Sequence, residues 1–227
     1  MECALKITRR ELCERAGALV LAGAALGTLS PLLNFVPPAH AQSPSPAELA
    51  VAGPLGEMSM GADNAPVTII EYASLTCSHC AHFQEVTFPE LKKRYIDTGK
   101  VRYILREFPL DPLSAAGFML ARCAAKDDKN KYFALVDTLF VQQKNWVVQK
   151  PLPPLMAIAK QAGFTDQSFE QCLANQQALD GIENVRQRAS EKFGVNSTPT
   201  FFINGKKQSG DLSIGDLEKA IEPYLKG

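Results

Sequence analysis

Apolar and polar positions change period several times along the chain, and each change marks a different kind of element. Residues 66–74 (PVTIIEYAS) are β-branched and aromatic on both parities. That pattern suits a central strand covered on both faces. Beyond it, Phe83, Val86, Phe88, Leu91 and Tyr95 recur at helical spacing, and Pro89 inside the pattern should kink the helix or begin a second segment. Residues 100–108 (KVRYILREF) read as a second strand, closed by Pro109. Strand, helix and strand in that order predict a parallel βαβ crossover.

From about residue 113 to 193 the period is helical, in segments 113–125, 130–143, 155–162, 167–175 and 178–193. The breaks between them hold Pro151, Pro153, Pro154 and Gly163. Thr200–Ile203 then reads as a strand, Asn204-Gly205 as a two-residue hairpin turn, and Lys206–Ser209 as the return strand. Ser213 is placed to cap a last helix running to Tyr224. The expected architecture is therefore α/β, with a sheet-forming domain built from residues 66–112 and 194–227 and an inserted helical domain at 113–193. Residues 42–65 are rich in Pro, Ser, Ala and Gly. They predict a flexible N-terminal segment with a short strand near residues 49–52.

Composition narrows the classes of function. The 227 residues carry 24 Lys+Arg against 24 Asp+Glu, 46% hydrophobic and 21% charged residues. That balance leaves no electrostatic footprint for wrapping nucleic acid or coating an anionic membrane, and it excludes a disordered or collagenous chain. Six cysteines against three histidines are the unusual part of the count.

The first 41 residues read as an address. Lys6, Arg9, Arg10 and Arg15 open it, an apolar stretch fills 16–36, and Ala39-His40-Ala41 offers a small-residue cleavage site before Gln42. The alternative is an uncleaved membrane anchor, which the glycines and Pro31 weaken. Export into the periplasm is expected, by the Sec route or, given Thr8-Arg9-Arg10, by the twin-arginine route. Cleavage would remove Cys3 and Cys13 and leave Cys77, Cys80, Cys123 and Cys172. Four cysteines in an exported protein are the arithmetic of disulfides.

Cys77-Ser78-His79-Cys80 lies at the junction of a predicted strand and helix. There the unpaired N–H groups of the first helical turn favour a thiolate on Cys77, and a protonated His79 adds positive charge between the sulfurs. Stabilising the thiolate stabilises the reduced pair, so the disulfide becomes an oxidant. A metal cluster of Cys77, His79, Cys80 and His82 is the competing reading, but a structural zinc site needs a second ligand pair that the chain lacks elsewhere. A purely structural bridge is the other, and one closing so small a ring restricts the unfolded chain little. No metal and no cofactor are expected. Glu71, six residues before Cys77, shares a strand parity with Val67 and Ile69. Burial there would raise its pKa and let it exchange a proton with Cys80, unless its carboxylate reaches solvent at the strand end. Cys123 and Cys172 both fall on helix faces, 49 positions apart. A buried structural bridge between them would contribute on the order of 4 kcal/mol in the chain-entropy model. Two unpaired buried thiols are the alternative. His82 reads as a surface residue, Asp127-Asp128-Lys129 as a solvated turn, and Trp146 as either core or a docking surface.

Ser197-Thr198-Pro199-Thr200 leads into Phe201-Phe202-Ile203-Asn204-Gly205. Together with a Cys-x-His-Cys at a strand–helix junction and a helical insertion, it resembles the DsbA-like branch of the thioredoxin superfamily over most of residues 55–227. The resemblance implies a thioredoxin fold and a cis Thr198–Pro199 bond beside Cys77, with Thr198 and Pro199 meeting an extended substrate. It implies an acidic residue near the disulfide at the spacing of Glu71. The second bridge it leaves undecided, because members of the branch differ there. The implied activity is donation of the Cys77–Cys80 disulfide to reduced, unfolded exported polypeptides. Reoxidation would come from a DsbB-type, quinone-linked membrane partner. An isomerase or reductase with the same active site, or a holdase-type peptide-binding module, are the rivals. Oligomeric relatives of the former kind carry an added N-terminal domain, for which 42–65 is too short, so a monomer fits best.

Overall fold

The computed structural model describes residues 44–126 and 128–226. The leader read at 1–41 with its cleavage site, and Asp127 of the predicted turn, lie outside the described residues. A five-stranded sheet runs in the order β1 (Met58–Met60), β3 (Val101–Glu107), β2 (Val67–Ala73), β4 (Thr200–Ile203), β5 (Lys206–Ser209). β2 and β3 are parallel, in the crossover expected, and every other pairing is antiparallel.

Strand β2 owes its two-parity pattern to a core on each side. Val67, Ile69 and Ala73 enter the larger core, while Ile70 and Tyr72 enter a second one with Ile104, Phe108, Val185, Phe193 and Phe202. The crossover from β2 to β3 is a helix interrupted twice. Ser78–His82 (α2) and Phe88–Leu91 (α3) are α-helical, and each is followed by a π-helical turn, at Phe83–Thr87 and Lys92–Ile96. Pro89 sits in the first turn of α3. Its missing N–H and its ring cannot be fitted to the α-helical ladder, and the wider turn at 83–87 absorbs the misfit.

Helices α4 (Pro112–Ala125), α5 (Lys129–Val141), α6 (Gln143–Trp146), α7 (Leu152–Gln161), α8 (Asp166–Leu173) and α9 (Gln176–Phe193) separate β3 from β4. Gly117 of α4 faces Leu75, and a Cβ there would meet Leu75 Cδ1 at 2.7 Å, so glycine lets α4 approach the loop that precedes Cys77. The hairpin turn has Asn204 and Gly205 both at positive φ, 44° and 86°. That is the requirement of a two-residue turn whose twist matches the strands. The last helix, α10 (Ile214–Leu225), is capped by the Ser213 side chain.

The described part of residues 42–65 corrects the expectation of a flexible segment with a strand at 49–52. Pro46–Ala50 is a helix (α1) with a full capping box between Ser45 and Glu48, and the strand lies later, at β1. Ser-x-x-Glu with proline at the first helical position is a local start signal that outweighs the loop-like composition. Arg106, itself buried, fastens the segment between α1 and β1 to the sheet. It donates to the carbonyls of Leu49 (2.6 Å) and Val51 (3.3 Å) and pairs with Glu57 (3.1 Å). Trp146 is core: it is fully buried and its Nε1 donates to the Leu139 carbonyl at 2.7 Å.

Candidate active site

Cys77 occupies the N-cap of α2, where the chain turns from the β2 loop into the helix, and its sulfur is half-exposed. Cys80, one turn on, is fully buried. Both are free thiols. The loop before them is fixed by an internal network rather than by its own backbone. Ser114 Oγ accepts from Leu75 N and from Ser74 Oγ, each at 2.9 Å. Thr76 Oγ1 donates to Asp111 at 2.6 Å. Gln143 Nε2 donates to the carbonyls of Leu75 (2.8 Å) and Cys77 (3.0 Å), tying the helical segment to the motif.

The Thr198–Pro199 bond is cis, and the turn lies against Cys77. The Cys77 thiol donates to the Thr198 carbonyl at 3.3 Å, across 121 positions of sequence. Thr198 Oγ1 is buried and has no partner. This assembly divides the two thiols sharply. The hydrogen bond from Cys80 lowers the Cys77 thiol to about 5; burial opposes it, and the backbone N–H groups of Cys80 and His79 add to it. Burial first, and then the bond it gives to Cys77, push the Cys80 thiol well above its ordinary value. His79 is exposed, and its part in this is through its backbone N–H.

Glu71 points into the larger core beneath the motif and is 2% exposed. Burial raises its carboxyl to about 8, against the lowering effect of the Tyr103 hydroxyl, which donates to Oε2 at 2.5 Å; the charges of Cys77 and Asp211 raise it further. Tyr103 escaped the sequence reading. It shares strand parity with Leu105, the residue paired with Glu71, but only the β2–β3 register brings the two side chains together. A carboxyl that keeps its proton in the fold and loses it on unfolding makes stability fall as pH rises. From its ordinary 4.5 to about 8 the loss runs at up to about 1.4 kcal/mol per pH unit, and it stops above that. Glu71→Gln removes the titration. Its stability relative to the native chain, read by urea unfolding, is expected to grow from about pH 5 to pH 8 and then level off. A difference that stays constant over that interval would mean that Glu71 is ionised throughout.

Cys123 on α4 and Cys172 on α8 are joined by a disulfide, with Cα atoms 6.1 Å apart. The bridge is half-buried rather than buried as expected, and both its cysteines line a cavity of about 260 Å³ together with Lys126, Lys131 and Phe164. It stands apart from the Cys77 site. His82 is exposed, as expected of a surface residue, yet its Nδ1 is engaged by Asp211. Among the described residues no group of three His, Cys, Asp or Glu side chains is placed to hold a metal ion.

Comparison with known proteins agrees with this geometry. The family model described as Thioredoxin matches residues 55–223. A "Putative protein-disulfide oxidoreductase" of Rickettsia conorii is 35% identical over 173 residues, covering 74% of this chain and 60% of that protein. The chain thus spans about six-tenths of the length of such curated relatives. The crystal structure of α-DsbA1 from Wolbachia pipientis is 32% identical, covers 80% of this chain and 96% of its own, and superposes with a TM-score of 0.73. The oxidised form of BdbD from Bacillus subtilis shares the fold, with a TM-score of 0.66 at 23% identity over 75% of this chain and 94% of its own. These matches join a helical block between β3 and β4, a Cys-x-His-Cys at the head of α2 and a cis proline against its first sulfur, and the chain belongs to the DsbA-like branch of the thioredoxin superfamily.

Proposed function

We propose that the chain is an exported thiol:disulfide oxidase that passes the Cys77–Cys80 disulfide to folding polypeptides in the periplasm. The observation that carries the reading is the division of the two thiols, Cys77 held down to about 5 and Cys80 pushed up. A substrate thiolate attacks the half-exposed Cys77 sulfur. The Cys77–Cys80 bond breaks, its electron pair leaves on Cys80, and a mixed disulfide forms. Glu71, protonated near neutral pH, would give the departing Cys80 sulfur its proton. A second substrate thiolate then attacks the substrate's own sulfur and releases Cys77 as a thiolate. The substrate loses two electrons and the Cys77–Cys80 pair gains them. Because Cys77 leaves as an anion that the site stabilises, the reduced form is favoured and the disulfide is oxidising. A depressed thiol contributes its stabilisation fully above its ordinary value and loses it as pH falls through its folded value, so the oxidising power should decline toward pH 5.

Thr198 and Pro199 would meet the extended substrate beside Cys77, with His79 at the exposed rim of the site. Cys123–Cys172 serves as a structural bridge between helices. The chain acts as a monomer, with no metal or cofactor of its own, and a DsbB-type quinone-linked membrane oxidase restores the disulfide. Membership of the DsbA-like branch supports both the reaction and this partner.

The test is the thiol–disulfide equilibrium of the pair against glutathione buffers, in a variant with Cys123 and Cys172 replaced so that the active-site pair alone reports. The pair is expected to stay reduced even in oxidising buffers. A pair that stays oxidised until the buffer is strongly reducing would make the chain an electron donor and reverse the direction of the reaction.

A further inference from the structure

The loop that leaves β5 is fastened on both sides of the redox site. Gly210, at φ 94°, donates its N–H to the Pro199 carbonyl at 2.9 Å, so the loop hangs from the turn that carries Thr198. The next residue, Asp211, pairs with His82 Nδ1, and the Leu212 carbonyl accepts from Thr87 Oγ1 at 2.9 Å. His82 comes two residues after Cys80. Its side chain is 59% exposed, yet Nδ1 is turned onto Asp211, whose side chain is 22% exposed. Residues 210–212 therefore bridge the cis-proline turn and the helix that carries both active-site cysteines.

What the bridge spans is the Cys77–Thr198 contact. Those two residues are 121 positions apart and nothing covalent sets their spacing. The Thr198 carbonyl lies 3.3 Å from the sulfur, and the buried Thr198 hydroxyl has no partner. The bond the Cys77 thiol gives weakens steeply as its angle closes, so a turn held from outside keeps it. An ion pair this exposed contributes little to global stability. Its consequence should appear at the sulfur instead.

We propose that His82 and Asp211 are positioning residues of the exchange site: their pair fastens the 210–212 loop to the active-site helix, and the loop holds the Thr198–Pro199 turn at bonding distance from the Cys77 sulfur. The proposal rests on the exchange reading of the Cys77–Cys80 pair. It goes beyond that reading in giving work to a surface histidine and to an aspartate far from it in sequence.

The experiment uses the reduced full chain and three variants: His82→Ala, Asp211→Asn, and the reversed pair combining His82→Asp with Asp211→His. The ultraviolet absorbance of the Cys77 thiolate is followed against pH, beside the thermal midpoint. Only the protonated Cys77 sulfur can donate to the Thr198 carbonyl. Each single variant is therefore expected to raise the ratio of thiolate to thiol at pH 5 by about three- to tenfold, the weight of one hydrogen bond. The thermal midpoint should move by less than about 2 °C. The reversed pair should return the ratio most of the way to that of the native chain. An unchanged Cys77 profile in both single variants overturns the proposal. So does a changed profile that follows a collapse of thermal stability and is not recovered by the reversed pair. The titration needs no substrate. A native chain that titrates low but oxidises no polypeptide thiol would therefore defeat the functional reading while leaving the positioning role standing.

Discussion

Cys77→Ser is expected to reduce oxidation of a reduced model substrate by about a thousandfold or more, because a hydroxyl can neither hold the disulfide nor leave as a stabilised anion. The fold should survive, since Cys77 is half-exposed and its neighbours are held by Ser114, Asp111 and Gln143 rather than by its sulfur. Cys80→Ser should behave differently. It leaves the accessible sulfur in place but replaces its disulfide partner with a hydroxyl, which can still donate to the Cys77 sulfur as the Cys80 thiol does. Offered a polypeptide that still holds a disulfide, that variant should accumulate mixed disulfides, visible by mass on Cys77. The Cys77 thiolate attacks one substrate sulfur, expels the other as a thiolate and has no second thiol to resolve the adduct. If Cys77→Ser retained oxidase activity, the reaction would run through other sulfurs and the proposed mechanism would be wrong. Peptide binding that persists in Cys77→Ser would show that holding and catalysis are separable properties of the same surface.

Arg122→Met is expected to cost about 3–5 kcal/mol, a large share of the stability of a domain this size. Arg122 grips Glu107, the last residue of β3, with Nε at 2.6 Å from Oε1 and Nη2 at 2.9 Å from Oε2. Its remaining nitrogen donates to the carbonyls of Leu55 (2.8 Å) and Gly56 (3.1 Å), and Tyr132 donates to the same carboxylate at 2.8 Å. Glu107 is 1% exposed, so removing the guanidinium strands a charge out of water. The expected fall in Tm is on the order of 10 °C. Changing Glu107 to Leu in the same chain should recover most of the loss, since a buried ion pair is often replaceable by apolar groups when both members go. Urea unfolding of the two variants decides the matter. A loss of less than about 1 kcal/mol in Arg122→Met would mean that water reaches Glu107.

These residues also separate what is legible in a linear sequence from what is not. The redox motif, the Thr-Pro turn before β4 and the Asn-Gly hairpin are written in neighbouring residues, and each appears where the sequence places it. The two-parity pattern of β2 announced its double burial, because the side-chain period of a strand is a local property. The capping box of α1 was equally local, yet the surrounding Pro, Ser and Ala argued for a loop. β1 is three residues long and exists only as a partner of β3. No periodicity can reveal a strand that its neighbour creates.

The chemistry of the site divides along the same line. Sequence alone determined that Cys77 heads a helix, that Cys80 lies one turn behind it and that Glu71 sits on a buried parity, since backbone geometry over a few residues imposes all three. Only the tertiary structure decided what each group feels. The parallel register of β2 and β3 delivers Tyr103 to Glu71, the turn at Thr198 delivers a carbonyl to Cys77, and the loop after β5 delivers Asp211 to His82. Those partners come from 32, 121 and 129 positions away. Period and propensity extend over a turn of helix or a pair of strand residues, whereas desolvation and hydrogen bonding depend on which distant segments the packed core brings together.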